Sequence, residues 1–388
     1  MDSEFERISA FTLNRAFGYE PGIPHSIIDS LGSAGAVFAM SDSELDDAFG
    51  RFPKIRSRIS RREWDDCRKE NRSLEENGYQ LLAAGDESFP AALRECPDSP
   101  LALYVRSGAP AAEVFSVPCC ISVVGTRDIS PYGREWCERI VNAVSFCTTK
   151  PAICSGLAIG VDITAHLAAL DSGLPTIAVL PTGIDDVYPP RHFRFADRIA
   201  NSPGSALITD FPPGTGPQKN TFLRRNRIIA GLSSSTILIE SKIKGGGMMT
   251  ARLAFGYGRN VFALPGRIDD ERSQGCNELL RRKIAEPLTD PATVGEALGL
   301  GLFGGPDKED LQTVILRRYG SSAGPEMLAR LKAVALAIRR DRGSSVEHLA
   351  GVLGLRYADV SSAAALLESD GIVITDLLGR CSINPKIM

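Results

Sequence analysis

The sequence predicts an open, doubly wound α/β sheet, preceded by a small helical segment and followed by a compact C-terminal module. The sheet rests on an alternation between residues 117 and 290. Six short β-rich runs, "CCISVVG", "PAICSG", "TIAVLP", "ALITDF", "TILIE" and "VFALPG", each close in Gly, Pro or polar residues. Between them lie helical patterns such as "SPYGREWCERIVNAVSF", "GVDITAHLAALDSG" and "GGMMTARLAFGYG". Apolar strands that alternate with helices pair in parallel and are buried on both faces. Ligands of such sheets gather at the C-terminal ends of the strands.

The remaining segments follow in chain order. Residues 1–110 are short and mixed, with spaced apolar residues broken by Gly and by N-cap candidates at Ser41 and Ser43. They predict a small helical domain of the SAM or helix-hairpin-helix kind. Residues 111–290 form the sheet domain. Residues 291–330, with "EALGLGLFGGPDKED", are Gly-rich and weakly patterned, and are expected to be a linker. In 331–388 a helix carrying Val346, Leu349, Ala350 and Leu353 precedes a Gly-containing turn, a second helix from Ala358 to Glu368, and the hairpin "GIVITDLLGRCSI". Helix, turn, helix and hairpin make a winged-helix plan. The second helix has no Lys or Arg, so a protein-contact or dimer module is expected rather than a duplex reader.

Composition removes several function classes. Over 388 residues, 43% are hydrophobic and 23% charged, as in ordinary globular proteins. No stretch approaches the roughly 18 to 20 apolar residues of a membrane span, and the acidic start "MDSEFERISAF" lacks signal-peptide features, so a cytoplasmic protein is expected. Nine scattered cysteines contain no CxxC pair, and the four histidines are far apart, which gives metal ligation no support. The cysteines read as small buried residues of a reducing compartment. A net charge of −3 does not exclude nucleic acid, because affinity follows local clusters of Lys and Arg.

The candidate sites lie at the strand ends. In "SVVGTRDISPYG" a strand closes at Gly125, and a helix opens with Ser130 as N-cap and Pro131 at its first position. Arg127 then projects near a helix N-terminus, whose free N–H groups attract anions. "ICSGLAIGVDITAH" repeats the pattern, with Gly156 and Gly160 for close backbone approach and Asp162 as a possible cap. No GxGxxG is present, so a dinucleotide cofactor is not implied. His166 reads as a packed helix residue. A third turn holds Gly245, Gly246 and Gly247, before a helix capped near Thr250.

"NTFLRRNRIIAGLSSSTILIE", residues 220–240, predicts a helix starting near Thr221 with Lys219, Arg224, Arg225 and Arg227 around its first turns. Cations there oppose the helix dipole, at a few tenths of a kcal/mol each, unless an anion neutralises both. Four cations beside three glycine turns suit a row of phosphates. Phe222 offers a ring for a nucleobase, worth about 1 to 3 kcal/mol.

At these residues the chain resembles the DNA-processing protein A family (DprA, also called Smf). "VVGTRDISPYG", "SGLAIGVDITAH", "TGIDDVYPPRH", "FLRRNRIIAGLS", "GGGMMTARLAFGYGRNVFALPG" and "GCNELL" carry the resemblance, in that order. It implies an extended Rossmann-like core that pairs into a homodimer, with a helical N-terminal domain and a C-terminal winged helix. It also implies no known catalysis and no cofactor. The expected activity is to bind and protect single-stranded DNA during natural transformation and to load the RecA recombinase onto it. The site it implies comprises Arg127, with Gly125, Ser130 and Gly156 around it, then Lys219, Asn220, Phe222, Arg224, Arg225, Asn226 and Arg227, and Gly246 and Gly247. The chain departs from the family at Ile159, where members commonly have Arg, and at Leu223, where Pro is usual. One cation fewer implies lower affinity. The competing expectation is a sensor or hydrolase of a small nucleotide from the same superfamily. In that reading Glu240, which follows "TILI", would act as a base; otherwise it would pair with an Arg of the pocket.

Overall fold

The structure, a computed structural model, describes residues 3–18, 20–290, 294–301, 311–320, 323–341, 343–376 and 379–384. Residues up to 303 form one compact unit, and residues from 304 onward form a second.

The first unit is built on a nine-stranded sheet. In chain order its strands are β1 (Gln80–Ala83), β2 (Ala102–Arg106), β3 (Cys120–Val124), β4 (Ala152–Ser155), β5 (Thr176–Val179), β6 (Ala206–Thr209), β7 (Ser235–Leu238), β8 (Asn260–Ala263) and β9 (Glu286–Pro287). Their spatial order is β1-β2-β6-β5-β4-β3-β7-β8-β9. From β6 to β9 every pairing is parallel, while β1 and β2 join antiparallel at one edge. This is the mostly parallel, doubly wound sheet that the alternating pattern predicts. The chain winds outward from β3 through β4, β5 and β6, then returns to place β7 on the other side of β3. The direction of winding therefore reverses between β3 and β7, and the crevice at their C-terminal ends is the favoured ligand position.

Side-chain alternation explains why both faces are covered. In β3, Ile121 and Val123 join one buried cluster with Cys137, Ile140, Val161 and Ala165. Val124 enters the opposite cluster with Ile228, Ile229, Met248 and Ala251. The helices Pro131–Val144 and Val161–Asp171 therefore cover one face, and Lys219–Leu232 and Gly246–Gly256 the other. Ser130 caps the first of these through a bond from the Gly133 N–H, with Pro131 behind it.

The N-terminal boundary differs from expectation. Six helices between Ser3 and Glu76 make the helical segment, and Ser41, not Ser43, caps one of them in a reciprocal box with Glu44. "QLLA" and "ALYVR", expected within the helical domain 1–110, are instead β1 and β2 of the sheet. They pair with each other antiparallel and extend the apolar surface, which holds the helices against it. Phe11 meets Tyr104 edge-on at 5.0 Å, and Asn14 Nδ2 donates to the Asp210 carbonyl at 2.8 Å.

Within the stretch expected as linker, residues 291–330, the described residues include the helices Val294–Ala297 and Leu311–Tyr319 and the start of Pro325–Arg340. Leu311, Ile315 and Tyr319 recur every four residues and are buried, which is what makes that segment helical rather than extended. Residues 291–293, 302–310 and 321–322 of that stretch lie outside the described residues. The second unit continues with helices Val346–Leu353 and Tyr357–Ser369, separated by a left-handed Gly354. Its strands β10 (Ser344–Ser345), β11 (Val373–Thr375) and β12 (Arg380–Ile383) form an antiparallel sheet in the order β10-β12-β11.

A buried charge cluster ties the first unit together. Asp210, directly after β6, is fully buried and accepts from Arg224 Nε at 3.0 Å and Arg227 Nη2 at 2.6 Å. Removing one partner of a buried ion pair costs about 3 to 5 kcal/mol. Asp210→Ala is expected to destabilise the first unit by that amount in urea unfolding. A loss below about 1 kcal/mol would show that the cluster is dispensable.

Candidate functional site

The loops after β3 and β7 and the outer face of the Lys219–Leu232 helix enclose a cleft of about 380 Å³ at the winding reversal. The helix begins two residues earlier than Thr221, at Lys219. The Gln218 N–H donates to Thr221 Oγ1 at 3.0 Å, and no acid sits in the first turn. At 100° per residue, Phe222, Arg225, Asn226 and Ile229 share one face, and all four line the cleft.

Arg127 and Phe222 meet across the cleft mouth. The Arg127 guanidinium carbon sits 4.9 Å from the Phe222 ring centroid, a cation–π distance. Gly160 places the Arg127 turn. It has φ of +87°, and a Cβ there would lie 2.3 Å from the Thr126 carbonyl oxygen. Beneath them lies Arg225, 4% exposed. The sequence suggested close approach of a ligand at Gly156, but a Cβ there would lie 1.3 Å from Arg225 Nη1, so that glycine makes room for a guanidinium of the protein instead.

Arg225 is incompletely neutralised. Its nearest carboxylate, Asp162, is 3.9 Å away, beyond hydrogen-bond range, and its Nε has no hydrogen-bond partner among the described residues. Burial pushes the Arg225 pKa below its ordinary value, with Asp162 pulling it back; burial likewise raises Asp162 against the pull of Arg225. For both groups desolvation outweighs the pairing. Asp162 sits in the first turn of its helix rather than capping it; Gly160 is the N-cap.

The third wall is the turn Ser241–Gly247. Gly245 is the N-cap of the Gly246–Gly256 helix, where the sequence pointed to Thr250, and it offers no side chain to the helix's first N–H groups. Gly246 and Gly247 line the cleft at an uncapped N-terminus that suits an anion. Exposed Lys242 and Lys244 stand beside it. Lys242 pairs with Glu271 at 2.5 Å.

Several expected residues lie elsewhere. Arg224 and Arg227 fall on the far side of the helix and bind Asp210 in the core, so they do not face the cleft. Ser130 is behind the wall as a helix cap. Lys219 and Asn220 are exposed at the first turn, one turn ahead of Phe222 and outside the cleft lining. Among the described residues Glu240 makes no ion pair with an arginine. It is 1% exposed, and its two oxygens accept from the Ser130 N–H at 2.9 Å and Ser130 Oγ at 2.5 Å. A helix N-terminus satisfies this carboxylate. The sequence reading missed Thr126, Lys242, Lys244 and Asp162 as cleft residues. The two lysines directly before the glycine turn were the available signal.

The chain has counterparts among known proteins. Residues 80–299 match the profile of the DNA recombination-mediator protein A family, more than half of the chain. The chain belongs to this family. Protein Smf of Escherichia coli is 38% identical over 234 residues, covering 60% of each chain. DNA processing protein DprA of Streptococcus pneumoniae is 37% identical over 196 residues, half of this chain and 66% of that one. Among solved structures, DNA processing protein A of S. pneumoniae superposes with a TM-score of 0.55 at 30% identity, over 67% of this chain and 92% of that one. The Helicobacter pylori family member, a structure concerned with that protein's single-stranded DNA binding mode, gives 0.51 at 29%, over 57% and 96%.

His166, buried near Arg225, stays uncharged in the fold. The Thr176 hydroxyl donates to the Ile153 carbonyl, so His166 Nδ1, 2.7 Å from Thr176 Oγ1, must be the donor there. Burial, then the Arg225 charge, lower its pKa to about 3. Between pH 6.5 and about 3 the unfolded chain therefore binds a proton that the folded chain refuses. Stability is full above about pH 6.5 and falls as the pH drops, by up to about 1.4 kcal/mol per unit. His166→Gln is expected to remove that share of the slope in unfolding measured between pH 4 and 7. Parallel slopes for the two proteins would refute it.

Proposed function

We propose that this chain binds single-stranded DNA, shields it, and passes it to a RecA-type recombinase during natural transformation, acting as a cytoplasmic homodimer and without chemistry of its own. The observation that carries the reading is the stack at the β3–β7 crevice: a nearly buried, under-neutralised Arg225 below the pair of exposed Arg127 and half-buried Phe222. An anion completes Arg225, and an aromatic face beside it takes a base, which together describe a nucleotide unit. Lys219, Lys242 and Lys244 stand exposed around the cleft, where further phosphates of a polymer would run. The single-stranded DNA binding named for the H. pylori relative supports the same reading.

The hydrolase alternative needs Glu240 as a base, and Glu240 is committed to Ser130 outside the cleft lining. The C-terminal residues 331–388 fit a winged-helix module that contacts protein. The helix Tyr357–Ser369 holds no Lys or Arg to meet phosphates, and Tyr357 and Leu366 are exposed on it.

Binding of oligo-dT, followed by fluorescence anisotropy, is expected to strengthen with length over several nucleotides. A mononucleotide that saturates the site as tightly as a long strand would overturn the proposal. Arg127→Ala should weaken all sequences alike and lower the log–log salt slope by about 0.7, the share of one phosphate on a single strand. Phe222→Ala should weaken binding by about 1 to 3 kcal/mol with the slope unchanged, because stacking releases no counterions.

Ile159, 38% exposed next to the Arg127 turn, stands where family members commonly carry Arg. Ile159→Arg is expected to tighten binding and to steepen the salt slope by about 0.7. An unchanged slope would place that side chain off the strand's path.

A further inference from the structure

We infer that Tyr188 is a second nucleobase platform, which carries the strand past Phe222 and forces it to turn between two neighbouring bases. The inference rests on the single-strand reading above. Tyr188 lies in the loop after β5, outside the cleft, and its ring centroid is 5.5 Å from that of Phe222, with the ring planes at 76°. It is half-buried, so part of the ring stays open to solvent. Its ring packs on Phe222, an aromatic of the cleft lining.

The loop is built to hold that ring in place. Thr182 Oγ1 donates to the Asp186 carbonyl at 2.8 Å, and Thr209 Oγ1 donates to the Thr182 carbonyl at 2.8 Å. The Gly183 N–H donates to the Thr215 carbonyl at 2.9 Å, and the Gly214 N–H returns a bond to the Asp185 carboxylate at 3.0 Å. Val187 and Pro189, on either side of Tyr188, are buried. An anchored loop that leaves an aromatic ring half-open is a pre-ordered surface, and stacking on it costs little further ordering.

The angle dictates what binds. Two bases laid on planes 76° apart cannot stack on each other. A duplex keeps neighbouring bases parallel, so only an unstacked single strand can use both rings. The strand then runs from the glycine turn after β7, across Arg225 and Arg127, over Phe222, and on to the β5 loop. Since stacking sites release no counterions, Tyr188 adds affinity that survives salt.

The test uses the full chain, oligo-dT, and an oligonucleotide of equal length in which abasic units replace the bases. Tyr188→Ala is expected to weaken oligo-dT binding about tenfold with an unchanged salt slope. Tyr188→Phe should bind as the parent does, and Tyr188→Leu, which keeps bulk without a ring, should resemble Ala. On the abasic strand the parent and Tyr188→Ala should bind equally. Equal weakening of both strands would assign Tyr188 a purely structural role and overturn the inference. So would a Tyr188→Ala protein that binds oligo-dT like the parent. A parent protein that binds no single strand at all would instead overturn the function proposed above.

Discussion

Everything at the cleft depends on how one buried carboxylate sorts the arginines of a single helix. Asp210 takes Arg224 and Arg227 into the core, and Arg224 also lies over the Phe211 ring at 4.7 Å. That commitment sets the rotation of the Lys219–Leu232 helix about its axis. With 224 and 227 facing inward, Phe222, Arg225 and Asn226 have to face the crevice between β3 and β7. The same residue accepts Asn14 on its backbone carbonyl, so the helical segment and the sheet share the anchor. One acid thus couples the stability of the unit to the aim of its binding residues.

The sheet was legible because its signals are local and repeated. Each strand is a short apolar run that ends in a turn residue, and Ser130–Pro131 mark a helix start by side-chain chemistry alone. β1 and β2 were misassigned for the opposite reason. β2 pairs with β6 about a hundred residues away and β1 joins the sheet through β2, and strands of four or five residues have no pattern that distinguishes them from connecting segments. Over 311–319 the chain is a helix rather than a linker, because the four-residue spacing of Leu311, Ile315 and Tyr319 outweighs the glycine-rich composition before it.

At the site, residue types were readable and directions were not. "RRNR" shows three guanidinium groups in four positions, but a helix spreads consecutive residues over opposite sides, and only the location of Asp210 decides which side is which. Gly156 was readable as a place of close approach. What approaches it is Arg225 from within the protein, a contact between residues 69 positions apart that no local motif encodes. Glu240 was readable as a functional acid on the same logic. The competing partner was a hydroxyl and an N–H at a helix start, and these satisfy a carboxylate without any cation.

The placement of charge argues for a polymer over a free nucleotide. A guanidinium held beneath the surface, like Arg225, is desolvated in advance and meets a phosphate strongly in a small volume. Such a group alone would suit a mononucleotide. Lys219, Lys242 and Lys244 are different: they are exposed, Lys242 already shares its charge with Glu271, and a single contact with any of them is worth little. Weak exposed cations become effective when a linear anion meets several at once and releases the counterions of each phosphate. The aromatic rings add the complementary element, since they hold bases without reading them. A buried cation suited to one nucleotide, exposed cations outside it, and rings able to accept any base together favour a strand of arbitrary sequence over a free nucleotide as the ligand of such a cleft.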